Sequence, residues 1–226
     1  MRSPASDFVE FGSDIAIAGV QTTSDAHGDD AKVLADLGVT SRFVMTVGTI
    51  EPRKNHEMLY KAYLEIIERD QLKEPLQMIF VGHRGWKTED FLAVLLADDR
   101  IKGKLLWLTP TDDQLEVLYR HAAFTLLASF YEGWSLTLPE KLSHGKFCLV
   151  SDVDPLRETG GDLVEYIDPL DTFKWAERIE YYANHPREVS KRVTRIKKEW
   201  KPKSWEAATA DLIEVLHDAH KTLFAS

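Results

Sequence analysis

The sequence predicts an α/β fold, a doubly wound parallel sheet followed by C-terminal helices. Three observations predict it. From Arg42 onward, short apolar runs alternate regularly with helical patterns. Most of those runs are continuous rather than alternating, as expected of strands covered by helices on both faces. After Asp168-Pro169 only helical patterns remain. A strand–helix repeat of this length reads as a doubly wound domain.

Residues 1–40 are rich in Ser, Asp, Gly and Ala and show no clear period. They read as a linker or leader with one weak strand (Ile15–Val20) and one short helix (Asp29–Leu37). Strands are predicted at Arg42–Gly48, Leu76–Gly82, Lys104–Leu108, Phe124–Ala128, Phe147–Ser151 and Leu163–Ile167. Between them lie helical patterns at Glu57–Arg69, Lys87–Ala97, Asp112–His121, Leu136–His144 and Leu156–Thr159. Helices then follow at Thr172–Ala183, Pro186–Glu199 and Ser204–Leu223. Pro186 suits a first helical turn, and Ser204 is a good cap before Trp205-Glu206. The expected organisation is a ligand-binding domain over 41–186, with the helices of 187–226 packed on it.

The 226 residues, 44% hydrophobic and 29% charged, are those of an ordinary soluble domain with ample length for a core. A formal charge of -9 argues against a nucleic-acid binder, since no field would neutralise phosphates. Basic residues cluster at Arg53-Lys54 and along Lys191 to Lys203; the second cluster reads as a solvated helix face capable of peripheral contact with anionic lipid at most. The one cysteine, Cys148, lies in an apolar run and reads as a buried strand residue. No apolar stretch approaches membrane-spanning length and no signal-peptide pattern follows Met1. A cytoplasmic protein is expected, at most at the inner face of the membrane.

The richest segment runs from Ser129 to Glu140. Glu132 and Glu140 stand eight positions apart across a turn holding Gly133, between a strand and a helix. That is the rim where open α/β sheets bind ligands, so the two carboxylates read as two hands on one polar ligand, such as a sugar and a ribose. The first strand–helix turn, from Gly48 to Asn55, puts Arg53 and Lys54 at the same rim, where free N–H groups at a helix start favour an anion. Arg grips a diphosphate with its fork, and Lys acts as a mobile point charge. The second turn, with Gly82, His83, Arg84 and Gly85, could serve a ligand or simply the turn. The third, around Thr109, could present backbone to a nucleobase or form a helix start capped by Thr111. The dinucleotide fingerprint G-x-G-x-x-G is absent. Asp152-Val153-Asp154 matches a short D-x-D pattern but opens a turn before Pro155, where Asp is favoured for local reasons. No histidine spacing suits a metal, so no metal or other cofactor is expected.

Together these blocks resemble the C-terminal half of a retaining glycosyltransferase of the GT-B fold, family 4 (group 1) type. Gly48-Thr49-Ile50-Glu51-Pro52-Arg53-Lys54-Asn55 resembles its phosphate-binding turn, and Glu132 through Glu140 its E-x7-E signature. Gly145 to Ser151, with Glu158 and Gly160, resembles the next strand and acidic turn. The resemblance implies a Rossmann-like donor-binding domain. In it Arg53 and Lys54 hold the diphosphate of a nucleotide sugar, GDP-mannose or a UDP-sugar, and Glu140 holds the ribose. Glu132 would meet the transferred sugar, while the backbone of Trp134, Ser135 and Leu136 cradles sugar and phosphate, alongside Gly48, Thr49, Gly82, Thr109 and Gly133. It further implies metal-independent transfer to a glycan or lipid-linked acceptor, and an N-terminal half supplied in cis or trans. The chain departs from the family pattern at Ser135, where a glycine is usual, at Thr137 in place of proline, and at Thr49 in place of arginine. Ser135 is suited to cap the helix that follows. A non-catalytic nucleotide-sugar-binding scaffold is the alternative.

Overall fold

The computed structural model describes residues 26–224. The predicted strand Ile15–Val20 lies outside them. Helix α1 (Ala26–Asp36) precedes the sheet, three residues earlier than its periodicity suggested. The six strands are β1 (Arg42–Val47), β2 (Leu76–Val81), β3 (Leu105–Leu108), β4 (Thr125–Leu127), β5 (Cys148–Ser151) and β6 (Glu165–Ile167). All pair in parallel, in the order β3-β2-β1-β4-β5-β6. The chain reverses its direction of travel across the sheet between β1 and β4, which makes that junction the topological switch point.

Alternation along β1 and β2 explains why helices cover both faces. Val44, Met78 and Phe80 join α2 (His56–Arg69) and α3 (Glu89–Ala97) in one core, whereas Phe43, Met45, Ile79 and Val81 join α4 (Asp112–His121) in the other. Helix α2 is an amphipathic element whose Leu59, Ala62, Tyr63 and Ile66 are buried, a 3–4 residue spacing that makes one stripe. It packs against α7 (Thr172–Asn184), which buries Trp175, Ala176 and Ile179. Cys148 is fully buried in β5.

Several boundaries differ from the sequence reading for local reasons. Helix α3 starts at Glu89 rather than Lys87, because Lys87 adopts a left-handed backbone (φ 51) that no helix can contain. Helix α6 (Asp154–Gly160) starts earlier than Leu156, with Pro155 accommodated in its first turn. Helix α5 (Thr137–Ser143) is shorter than expected, and Ser135 does not cap it. Ser135 itself is left-handed (φ 61), its Oγ faces Thr137 Oγ1 at 3.1 Å, and Leu136 stands at the cap position without a side-chain hydrogen bond. Thr111 and Gln114, by contrast, form a reciprocal capping box on α4.

Helix α8 (Pro186–Glu199) closes this compact unit, burying Val189 and Ile196, while the Trp200 indole donates to Ser143 Oγ at 3.1 Å. Residues from Lys201 on belong to a second unit that holds α9 (Trp205–Phe224), which opens with the Ser204 hydroxyl accepting from Ala207 N–H at 3.1 Å. Among the described residues no helix is long and apolar enough to cross a membrane.

Candidate donor site

The site forms where β1 and β4 end side by side. After Val47 the chain passes through Gly48 into one 3-10 turn, Pro52–Lys54, with proline fixing its first position. Asn55 follows in a left-handed conformation (φ 58), and its side-chain amide donates to Pro169 O at 2.9 Å. Arg53 and Lys54 are thereby carried over the end of the sheet. The turn after β4 is stitched to them by the Phe130 N–H, which donates to Arg53 O at 2.9 Å.

Across this junction the structure brings together three of the expected residues. Lys54 Nζ donates to Glu132 Oε1 at 2.7 Å, and Arg53 Nη1 donates to Glu132 Oε2 at 2.5 Å. Ser129 Oγ adds a third bond, at 2.6 Å, to Glu132 Oε1. The Glu132 side chain is only 4% exposed. Burial pushes its carboxyl pKa up, but Lys54, Ser129 and Arg53 together outweigh that and hold it below the usual value. Burial alone would lower the Arg53 pKa; its bonds to Glu132 and Glu51 raise it. Glu132 is thus an ionised carboxylate on which both cations converge.

Glu140 is different. It lies in the first turn of α5, partly exposed, and the charge and side-chain contact of its carboxylate help to raise the pKa of the buried Tyr119 phenol. Gly133 and Leu136 are exposed between the two carboxylates, and Trp134 and Ser135 sit deeper. Thr49 is exposed on the first turn, and Thr109 is exposed where β3 ends, two strands away.

Gly82 has a structural role of its own. The turns after β1 and β2 run backbone to backbone, with Gly48 N–H donating to Val81 O and Ile50 N–H to His83 O, both at 2.9 Å. A Cβ on Gly82 would lie 2.2 Å from Gly48 O, so only glycine permits this approach. Arg84 turns outward to Glu89, and His83 is exposed. The D-x-D aspartates are also engaged locally: Asp152 forks with Arg157, and Asp154 opens α6. Among the described residues no group of three or more His, Cys, Asp or Glu is placed to hold a metal ion.

Three partners went unrecognised in the sequence. Ser129 supports Glu132, as above. Glu51 Oε1 accepts from Arg53 Nη2 at 2.8 Å and Nε at 3.1 Å, and Trp86 Nε1 donates to Glu51 Oε2 at 3.0 Å. Glu51 also lines a cavity of about 300 Å³ with Pro52, Phe91 and Phe130. The neighbouring His56, first residue of α2, is buried edge-on against Phe80 (5.0 Å between ring centres), and neither ring nitrogen has a hydrogen-bond partner. Burial, reinforced by the Lys54 charge, lowers its pKa to about 3, so it is neutral.

A parallel sheet with paired cations and carboxylates at its switch point defines a Rossmann-like ligand-binding half-domain of the GT-B type. The chain belongs to the glycosyl transferases group 1 family, whose model matches residues 35–201. It is similar to O-antigen chain mannosyltransferase B of Escherichia coli, with 35% identity over 130 residues, 57% of this chain and 33% of that protein. It is also similar to D-inositol 3-phosphate glycosyltransferase of Rhodococcus jostii, with 26% identity over 209 residues, 89% of this chain and 46% of that one. The chain therefore spans less than half of either relative. Among solved structures, Anabaena HepE in complex with UDP-glucose superposes with a TM-score of 0.69 at 14% identity, covering 85% of this chain and 53% of that one. Sucrose-phosphate synthase from Thermosynechococcus elongatus gives 0.65 at 19% identity, with 85% and 49% covered. These two likenesses establish the fold.

Proposed function

We propose that this chain is the donor-binding half of a retaining glycosyltransferase that moves a sugar from a nucleoside diphosphate to a glycan or lipid-linked acceptor. The observation that carries the reading is the convergence of Arg53, Lys54 and Glu132 at the switch point. Breaking the bond to the anomeric carbon leaves negative charge on the departing nucleoside diphosphate. Fixed cations at that position stabilise the charge as it develops. Glu140 accepts from the ribose hydroxyls, and Glu132 faces the transferred sugar. Backbone at Gly48, Thr49 and Gly133 to Leu136 lines the diphosphate and sugar, with Gly82 and Thr109 towards the base.

The donor is GDP-mannose or a UDP-sugar; a relative named as a mannosyltransferase supports the first, and a fold neighbour bound to UDP-glucose the second. The acceptor site belongs to an N-terminal half in cis or trans. The protein works in the cytoplasm, with peripheral membrane contact at most, needs no metal and binds no nucleic acid. The test uses the chain together with its N-terminal half. Incubation with GDP-mannose or UDP-glucose and a glycan acceptor should release one nucleoside diphosphate in step with acceptor elongation, and Glu132→Gln should abolish the release. Equal release with the variant, or release without elongation, would remove the transferase reading.

A further inference from the structure

Arg53 owes its direction to the turn after β2 as much as to its own. A guanidinium offers five N–H groups in a rigid fork. One edge of it, Nε and Nη2, is taken by one oxygen of Glu51 at 3.1 and 2.8 Å. That leaves Nη1 facing the switch point, where it meets Glu132 Oε2 and donates to Tyr131 O at 3.1 Å. Glu51 is itself fixed from behind by the Trp86 indole at 3.0 Å. The two turns cannot drift apart, because Gly85 N–H donates to Ile50 O at 2.8 Å and Ile50 bridges to Arg84. Trp86 is 55% exposed, so burial of its ring explains little of its placement. Its indole N–H and the aim of Arg53 are what this contact secures.

We propose that Glu51, braced by Trp86, is a positioning residue that sets the Arg53 fork for the diphosphate of a nucleotide ligand. The inference rests on the donor reading above and deepens it. A carboxylate beside a diphosphate repels it, so a Glu51 without a positioning role would oppose binding, and its removal would help. A Glu51 that aims Arg53 has the opposite signature. Without it Arg53 keeps only its Nη1 contacts to Glu132 and Tyr131 O, the first of which a diphosphate must displace, and the entropy of re-ordering the fork falls on ligand binding.

The experiment is calorimetric titration of the chain with GDP and with UDP, using a double-mutant cycle. Arg53→Ala should weaken binding of the preferred nucleotide on the order of tenfold to a hundredfold. Glu51→Ala should weaken it about tenfold, and the double variant should bind no worse than Arg53→Ala alone. Glu51→Gln, which keeps an acceptor for Arg53, should recover part of the loss, and Trp86→Phe should cost about fivefold by releasing the brace. Melting temperatures measured alongside separate this from misfolding, and Trp86→Phe stands in should Glu51→Ala not fold. Unchanged or tighter binding by Glu51→Ala, or losses that simply add, would overturn the positioning role while leaving the donor site intact. Binding that ignores Arg53→Ala, or no binding by the unaltered chain, would overturn the donor reading and this inference with it.

Discussion

Glu132 carries an ionised carboxylate between two cations, and that arrangement decides what its removal does. Arg53 and Lys54 each spend their best contact on it, at 2.5 and 2.7 Å. An incoming diphosphate competes with Glu132 for those contacts, since both are anions offered to the same donors. Glu132→Gln should therefore bind bare GDP or UDP at least as tightly as the parent chain, although the sugar contact and transfer are lost. Fluorescence or calorimetric titration with the bare nucleotide checks this, and a tenfold weaker variant would show that Glu132 holds the cations in place rather than competing for them. Arg53, Lys54 and Glu132, which the structure brings together, stood out in the sequence because each sits in a short motif just past a strand end. Glu51 and Trp86 were not legible as a pair. They lie 35 positions apart on separate turns, and nothing local to either residue encodes their meeting.

At the scale of elements, α2 enters the sheet through His56, and that contact is sensitive to acid. The folded imidazole has its pKa lowered to about 3 by burial, against an ordinary 6.5. Sign matters here: the unfolded chain binds the proton first, so stability is fully present above about pH 6.5 and is lost as pH falls towards 3. Between pH 6.5 and pH 5 this one group should remove about 2 kcal/mol. Urea unfolding at the two pH values should reveal that loss in the parent chain and its absence in His56→Phe, which keeps a ring against Phe80. Equal pH dependence in both would contradict the assignment. The sheet and most helices were readable because their signals are local. Met78–Val81 is a continuous apolar run, and α4 and α8 match their predicted bounds because Thr111 and Pro186 announce their starts. Two of the misplaced boundaries fall where the backbone turns left-handed without glycine. At Lys87 and Ser135 the surrounding fold imposes a conformation the residue itself disfavours, and propensity has no means of signalling it.

Across the whole molecule, the parallel sheet acts as a frame that delivers turns to one rim. Strands β1 and β2 end in register at Val47 and Val81, so their turns leave side by side, and β4 delivers Glu132 from across the switch point. Fold and charge thereby converge on one place, with Arg53 and Lys54 from one direction of chain travel and the carboxylates from the other. The sequence carried this frame and the family resemblance; the locking of both cations onto Glu132 appeared only in three dimensions. The proposed function requires this rim to bind the nucleoside diphosphate of a sugar donor. A charge-assisted hydrogen bond contributes about 1.5–3 kcal/mol, so each cation should be worth tenfold to a hundredfold in affinity. The most direct test is to titrate the purified chain with GDP and UDP, beside Lys54→Ala and Glu140→Ala. One nucleotide should bind, and both substitutions should weaken its binding, Lys54→Ala by that factor. Folded protein that binds neither nucleotide, or binding that both variants retain in full, would contradict the proposed function.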